Sequence, residues 1–299
     1  MSKRSVAILL AACVGSAAAE NPEPTVRTET VGSGVYVLYG SGGNIGASVG
    51  PDGVFLIDDQ YAVMTPKVTE ALSKIAPQPP RFVLNTHWHD DHTGGNENLA
   101  EKGSVIVAHD NVRVRMSAEQ FNKFFDRTTP ASPAGALPMV TFNDSASFHL
   151  NGEELRGYHV PQAHTDGDVF IHFRKANVIH TGDIMFAGMY PFVDLDSGGS
   201  VAGVIAAVDR MLELADGKTR IIPGHGEVTD RAGLEAYRDM LASTSRRMRE
   251  LVKSGKTIEQ VLAEKPFAAL DGTLAWSFIT AERYVRILYR DAAASASVR

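Results

Sequence analysis

The chain has 299 residues, of which 44% are hydrophobic, and a formal net charge of −6. This much apolar material is enough for the core of one large domain, which we place at residues 20–299. A mildly acidic chain without a dense run of basic residues is not typical of proteins that bind nucleic acid. We therefore expect a small-molecule substrate and no nucleic-acid partner, while the composition leaves the oligomeric state open.

The first nineteen residues have the order of features that is found in signal peptides. Lys3 and Arg4 precede a short apolar run at residues 6–14, and small residues come directly before Glu20. The run is too short to cross a bilayer as a helix, and we expect no transmembrane helix later in the chain. We predict cleavage before Glu20 and a periplasmic or secreted protein. Cys13 follows Leu-Ala-Ala, so attachment of a lipid there is the alternative.

Short runs rich in β-branched and aromatic residues alternate with helical patterns along the chain. Strands are predicted at residues 35–39, 45–49, 54–57, 82–84, 105–108, 139–142, 155–160, 169–173, 178–180 and 220–222. Helices are predicted at residues 66–75, with Thr65 as N-cap, at 110–125, at 200–214, and over most of the part from about 230 to 299. Each half therefore runs from strands to helices. This order is typical of an α/β sandwich, in which two packed sheets carry helices on their outer faces.

Potential metal ligands are densest at residues 87–92, which directly follow the strand predicted at 82–84. The segment reads His-Trp-His-Asp-Asp-His, with histidines at His87, His89 and His92. Neutral imidazole and carboxylate are the ligands that Zn²⁺ and similar ions prefer. Three histidines within six residues after a buried strand are difficult to explain by packing. Either Asp90 or Asp91 could add a carboxylate to them.

Three later residues occupy similar positions. His164 lies between two predicted strands, Asp183 follows the strand predicted at 178–180, and His225 follows the strand predicted at 220–222. Each is a ligand-type residue on a loop at a strand end, and neighbouring glycines allow the backbone to turn sharply there. We expect these three residues to join the first group.

The segment from His87 to His92 resembles the HxHxDH signature of the metallo-β-lactamase superfamily, and the later His, Asp and His follow in the family's order. The resemblance covers residues 35–226 and implies an αββα sandwich with the site at one edge. In the signature the aspartate ligand directly precedes the last histidine, which selects Asp91 over Asp90. The resemblance implies that one ion is bound by His87, His89 and His164, that a second is bound by Asp91, His92 and His225, and that Asp183 bridges both.

The same resemblance implies a metal-dependent hydrolase with two Zn²⁺ ions per chain, iron and manganese being alternatives. Two ions would activate a shared water for attack on the carbonyl of an ester, thioester, lactone or amide. Asp91 would be catalytic, orienting this nucleophile and accepting its proton. Each ligating histidine also needs a partner for its other ring nitrogen. Asp58 and Thr181 are candidates for this role.

The position of Asp183 distinguishes branches of the family. The β-lactamases that resemble this chain have Cys or Ser there, and those with Cys usually have Lys three residues later, where this chain has Phe186. A bridging carboxylate is instead typical of the glyoxalase-II-like and lactonase-like branches. Activity on β-lactam antibiotics stays an alternative, as does a persulfide dioxygenase of the same fold with a single iron. We predict that residues 186–200 form one wall of the pocket, with apolar surface from Tyr61 and Trp88.

Overall fold

The computed structural model describes residues 24–297. The predicted signal peptide, its cleavage point and Cys13 therefore lie outside the described residues. Within residues 24–297, no helix is long and apolar enough to cross a membrane.

One sheet has seven strands and comes from the first half of the chain. Its strands, in spatial order, are β1 (Arg27–Gly32), β2 (Val35–Tyr39), β3 (Ile45–Gly50), β4 (Gly53–Ile57), β5 (Pro80–Leu84), β6 (Val105–His109) and β9 (Val140–Phe142). The chain between β6 and β9 makes a separate hairpin of β7 (Gln120–Asn122) and β8 (Arg127–Thr129). Strands β4, β5, β6 and β9 are parallel, so their carboxyl ends meet at one edge.

The second sheet has six strands and comes from the second half. They are β10 (Ser145–Leu150), β11 (Glu153–His159), β12 (Val169–Phe173), β13 (Val178–His180), β14 (Arg220–Ile222) and β15 (Thr229–Asp230), in spatial order. Neighbouring strands are antiparallel except for β13 and β14, which are parallel. The carboxyl ends of β13 and β14 therefore lie next to each other, beside the loop that joins β11 to β12.

Nine α-helices are present in the part of the chain that the structure describes. They are α1 (Thr65–Ser73), α2 (Asp90–Thr93), α3 (Asn96–Ala100), α4 (Asp110–Met116), α5 (Val201–Leu214), α6 (Arg231–Lys253), α7 (Ile258–Glu264), α8 (Ala268–Leu274) and α9 (Ala281–Ser297). The start of α5 is fixed by Ser200, whose Oγ accepts a hydrogen bond from the N–H of Gly203 at 2.9 Å. Such a cap satisfies a backbone donor that the helix itself cannot pair.

Strand β4 illustrates why the two sheets stack. Phe55 and Ile57 pack with Ile171 of β12 in the core between the sheets. Leu56 points the other way and packs against Val68 of α1, because successive side chains of a strand face opposite sides. On the far side of the second sheet, α5, α6 and α9 cover a third apolar cluster. The predicted α/β class and the αββα sandwich are confirmed.

The helix predicted over residues 110–125 is wrong in its second half. Helix α4 ends at Met116, and the chain then forms the β7–β8 hairpin. Phe121, Phe124 and Phe125 have helical spacing, but Phe124 and Phe125 contact Phe192 of a distant segment. Tertiary packing thus overrides the local pattern. The predicted N-cap is also shifted, since Thr65 is already the first residue of α1 and is buried.

Candidate metal centre

The predicted ligands meet at the edge where strands of both sheets end. Strand β5 leads into residues 87–92, and the loop between β11 and β12 carries His164. Asp183 follows β13 and His225 follows β14, and these two residues lie side by side because the strands are parallel. Gly224 permits the close approach of the two loops, since a Cβ there would lie 2.1 Å from Asp183 Oδ1.

Three histidines and one carboxylate oxygen form a first cluster. His89 Nδ1 lies 3.1 Å from His87 Nε2 and 3.0 Å from His164 Nε2. Asp183 Oδ2 is 3.8 Å from His87 Nε2 and 3.6 Å from His164 Nε2. The four side chains thus direct one ligand atom each toward a common point.

A second cluster adjoins the first. His225 Nε2 lies 3.4 Å from His92 Nε2 and 3.3 Å from Asp91 Oδ2. The other carboxylate oxygen of Asp183, Oδ1, is 3.0 Å from His92 Nε2 and 3.4 Å from His225 Nε2. Asp183 therefore presents a different oxygen to each cluster. Asp90, the alternative to Asp91, is turned away and pairs with Arg127 at 3.2 Å.

Hydrogen bonds behind two of the histidines converge on Asp58, as predicted for this residue. His92 Nδ1 lies 2.8 Å from Asp58 Oδ2, which also accepts the hydroxyl of Thr86 at 2.8 Å. Since this hydroxyl donates its hydrogen bond to Asp58, it accepts one from the Nδ1–H of His87, 3.0 Å away. Both imidazoles are thus held with the lone pair of Nε2 toward the clusters. The hydroxyl of Thr181, the other predicted partner, instead donates to the carbonyl of Gly182.

The remaining two histidines of the first cluster are oriented from a different segment. His164 Nδ1 lies 2.8 Å from the backbone carbonyl of Phe192. His89 Nε2 lies 3.0 Å from Asp194 Oδ2, so His89 faces the cluster through Nδ1 and the others through Nε2. Burial alone would raise the pKa of the Asp194 carboxyl, but the hydrogen bond and charge of His89 lower it to about 2.

Neighbouring carboxylates and burial shift the pKa values of histidines in the two clusters in opposite directions. Burial alone would lower the pKa of His225, but the carboxylates of Asp183 and Asp91 raise it to about 9. Burial lowers the pKa of His164 to about 4, so this imidazole is neutral at pH 7. The raised pKa of His225 reflects the negative charge of these two carboxylates, which a divalent cation held among them and the imidazoles would balance.

Unpaired ligand atoms in the two clusters also indicate that these residues fit bound metal ions. Asp183 Oδ1 is buried and has no hydrogen-bond donor, which is costly for an ionised oxygen unless a cation balances it. The ring nitrogens of the first cluster also face one another while their other nitrogens are engaged outward. Nitrogen lone pairs directed at one point repel each other unless a cation lies among them. The His/Asp donors match those of zinc sites, in which imidazole and carboxylate ligands are common.

One side of the centre is open to solvent. The side chains of His89, Asp91 and His225 are 16%, 17% and 19% exposed, whereas that of Asp183 is only 5% exposed. Phe186 lies behind His225, with the two rings stacked at a centroid distance of 5.0 Å. A substrate therefore reaches the clusters from the side of His89, Asp91 and His225.

The predicted pocket wall is only partly present. Phe192 stacks on His89 at a centroid distance of 6.0 Å, but Tyr190 is fully buried and its hydroxyl donates to Asp271. Trp88 is 8% exposed and its ring lies 4.7 Å from that of His89. Sequence reasoning did not identify Asp194 as a partner of His89. The only signal was that Asp194 lies within residues 186–200, the predicted pocket wall.

Comparisons with known proteins agree with this geometry. Residues 38–225 match the family model of the metallo-beta-lactamase superfamily. The probable metallo-hydrolase YqgX of Bacillus subtilis is 26% identical over 61% of this chain and 89% of its own length. A hydroxyacylglutathione hydrolase of Pelagibacter ubique is 25% identical over 36% of this chain and 37% of its own length. The acyl-coenzyme A thioesterase MBLAC2 of Gallus gallus is 24% identical over 49% of this chain and 56% of its own length.

Solved structures show the same fold. A metallo-beta-lactamase from Pontibacter korlensis superposes with a TM-score of 0.62 at 18% identity, covering 73% of this chain and 99% of its own. The sec-alkylsulfatase Pisa1 from Pseudomonas sp. superposes with a TM-score of 0.69 at 18% identity, covering 92% of this chain and 52% of its own. The chain belongs to the metallo-β-lactamase superfamily. It is an enzyme of the metallo-hydrolase type, with a His/Asp cluster that could hold metal ions.

Proposed function

We propose that the protein is a two-ion hydrolase that cleaves an ester, thioester, lactone or amide at its carbonyl group. The placement of Asp183 carries this proposal. Its Oδ2 faces His87 and His164, while its Oδ1 faces His92 and His225. A carboxylate that presents separate oxygens to two clusters is suited to bridge two ions and to reduce their mutual repulsion. Zinc is the ion that we propose, because the donors are imidazole nitrogens and carboxylate oxygens.

The ligand sets follow from the two clusters. His87, His89 and His164 would hold the first ion, Asp91, His92 and His225 would hold the second, and Asp183 would contribute to both. Ions bound there would make a water molecule more acidic and polarise the carbonyl oxygen of the substrate. The chain's contribution is orientation, since the hydrogen bonds that the rings of His92 and His89 donate to Asp58 and Asp194 fix both rings.

Asp91 is the residue that we propose as catalytic. Its side chain is more exposed than that of Asp183, 17% against 5%, so water and substrate can reach it. Burial alone would raise the pKa of Asp91, but the neighbouring His92 and His225 lower it to about 2. A carboxylate that is ionised at neutral pH can orient a water molecule and accept its proton.

The relatives support a carbonyl substrate. A hydroxyacylglutathione hydrolase and an acyl-coenzyme A thioesterase are among the proteins that this chain resembles, and the names of both describe hydrolysis of a thioester. The geometry supports two ions rather than one, since each cluster has three residues of its own besides Asp183. This arrangement favours a hydrolase over a dioxygenase with a single iron.

Elemental analysis and a substrate panel test the proposal. The chain is loaded with zinc, manganese or iron and assayed on a thioester, an ester, a lactone and a β-lactam. We expect about two ions per chain, and hydrolysis of at least one substrate that stops on chelation and returns with the ion. His87→Gln should lose an ion, whereas His149→Gln, on an exposed position of β10, should keep both. At most one ion in excess zinc, or loss of a persulfide with oxygen consumption, would contradict the proposal.

We also propose that the enzyme is exported and that the mature chain begins near Glu20. The support is the order of charged, apolar and small residues before that position. Intact-mass measurement of the protein from the cells that produce it would give the first residue. A full-length chain in the cytosol would contradict export, and a lipid on Cys13 would favour the anchored alternative.

A further inference from the structure

Aromatic side chains form an arc along the open side of the metal centre. The ring centroids of His89 and Phe192 are 6.0 Å apart, and those of Phe192 and Phe278 are 5.8 Å apart. The centroids of Phe278 and Trp276 are 5.5 Å apart, and those of Trp276 and His225 are 6.3 Å apart. The arc thus starts at a histidine of the first cluster and ends at a histidine of the second.

The two ends of the arc are the most exposed histidines of the centre. His89 and His225 have side chains that are 16% and 19% exposed, whereas those of His87, His92 and His164 are at most 1% exposed. A molecule that approaches both clusters therefore passes beside the arc.

The arc is assembled from two distant segments and is partly accessible. Phe192 belongs to the segment after Asp183, while Trp276 and Phe278 lie between α8 and α9. Phe278 is 41% exposed and Trp276 is partly buried, whereas Phe192 is only 7% exposed and forms the base of the arc. Phe125, from the β7–β8 hairpin, stacks on Phe278 at a centroid distance of 4.9 Å, so the hairpin packs against the arc.

The three side chains of the arc between the two histidines are uncharged. The nearby guanidinium of Arg283 lies over the face of Phe125, 5.3 Å from its centroid, and donates to the backbone carbonyl of Phe278. This cation is thus engaged by the ring of Phe125 and by the backbone of Phe278. Exposed aromatic surface next to a reactive centre offers binding energy to apolar groups rather than to charged ones.

We infer that the arc of Phe192, Trp276 and Phe278 binds an apolar chain or ring of several carbon atoms attached to the scissile carbonyl group. This inference rests on the proposed function and names the substrate class of the same site. Each methylene buried against the arc should strengthen binding up to roughly fourfold. Phe278 and Trp276 are thereby specificity-determining residues.

Binding of carboxylate products tests the inference without turnover. The zinc-loaded full chain is titrated with acetate and with octanoate by calorimetry. We expect octanoate to bind at least about tenfold more tightly than acetate, from the burial of several methylenes. Phe278→Ala should reduce this ratio to about threefold or less, and Trp276→Leu should reduce it as well. Phe121→Ala is the matched control, since Phe121 is an exposed phenylalanine on β7, and it should keep the ratio.

Hydrolysis of 4-nitrophenyl acetate and octanoate separates this inference from the proposed function. If neither ester, nor any other substrate of the panel, is hydrolysed while octanoate still binds more tightly through Phe278, the proposed function fails and the arc stands. If esters are hydrolysed but octanoate binds no more tightly than acetate, the inference is overturned and the hydrolase stands. An unchanged binding ratio in both Phe278→Ala and Trp276→Leu would also overturn it.

Discussion

Replacement of Asp58 by Asn should weaken metal binding without removing a proposed ligand. Asp58 is fully buried. It accepts three hydrogen bonds, from the backbone N–H of Thr86 at 2.7 Å, the hydroxyl of Thr86 at 2.8 Å and the imidazole of His92 at 2.8 Å. An amide has one accepting oxygen, so in either orientation its NH₂ group faces a donor.

The magnitude follows from these contacts. One buried donor without a partner costs about 1–3 kcal/mol, and bonds to an ionised acceptor weaken when it becomes neutral. Since two of the proposed ligands, His92 and His87, are oriented through Asp58, part of this cost falls on metal binding. We expect Asp58→Asn to lower the zinc affinity by about 10–100-fold, which corresponds to roughly 1.4–2.7 kcal/mol.

Competition with a chromophoric chelator measures this affinity, and Asp59→Asn is the matched control. Asp59 is also buried, but its Oδ1 accepts the N–H of Gly95 at 2.9 Å. Burial raises the pKa of Asp59 well above its ordinary value, and Asn has nearly the same shape as Asp. A zinc affinity of Asp58→Asn within twofold of the original would refute the reasoning. An equal loss of zinc affinity in both variants would show that any disturbance of this segment weakens metal binding.

Three further predictions concern other parts of the structure. Asp183→Asn should reduce the metal content below two ions and lower turnover by about 100-fold or more, the scale of a lost electrostatic contribution in an active site; elemental analysis and kinetics measure both. Asn122→Ala removes the donor that contacts Asp194 Oδ1 at 2.9 Å and should weaken zinc binding by about 2–10-fold, the range of one hydrogen bond. His159→Phe should reduce the loss of thermal stability on acidification. Burial and the stacked His109 lower the pKa of His159, so the unfolded chain takes up protons first as the pH falls from about 6.5. Melting temperatures at pH 7 and pH 5 measure the difference.

The controls for these variants follow from the same contacts. An Asp183→Asn chain with two ions and full turnover would exclude the bridging role. Gln120 lies in the same hairpin, but its side chain is hydrogen-bonded to Arg115 and not to Asp194. Equal effects of Gln120→Ala and Asn122→Ala on zinc binding would therefore mean that the hairpin as a whole is responsible, and not the bond to Asp194. Equal acid-induced losses in His159→Phe and the unchanged chain would contradict the protonation argument, in which nearby Asp144 and Asp166 act in the opposite direction.

The sequence predicted those features that are encoded within a few residues. Strands β2 and β12 have the predicted bounds because their apolar runs end at turn residues. The proposed ligands were identifiable because four of them lie within residues 87–92 and the others lie on loops at strand ends, with glycines directly beside Asp183 and His225.

Of the partners of these ligands, Asp58 was predicted as a candidate from its place at a strand end, whereas Asp194 was not identified. Asp58 is 34 positions from His92, and Asp194 is 105 positions from His89. Asp58 and His92 follow the neighbouring strands β4 and β5 of one sheet. Asp194 follows β13 of the other sheet, so only the meeting of the two sheets brings it to His89, and nothing in the local pattern marks that pair. The aromatic arc has the same origin, since Trp276 and Phe192 belong to segments that are distant in the chain. The β7–β8 hairpin was missed because its phenylalanines have helical spacing but pack on Phe192.

Each ligand cluster draws side chains from both sheets. His164 of the second sheet meets His89, 75 positions earlier, and His225 meets His92, 133 positions earlier. A bond between residues so far apart in the chain removes much of the freedom of the unfolded state. An ion in either cluster would therefore act as a cross-link between the two halves of the sandwich. The side chains proposed to carry out the chemistry would then also limit how far the two sheets can separate.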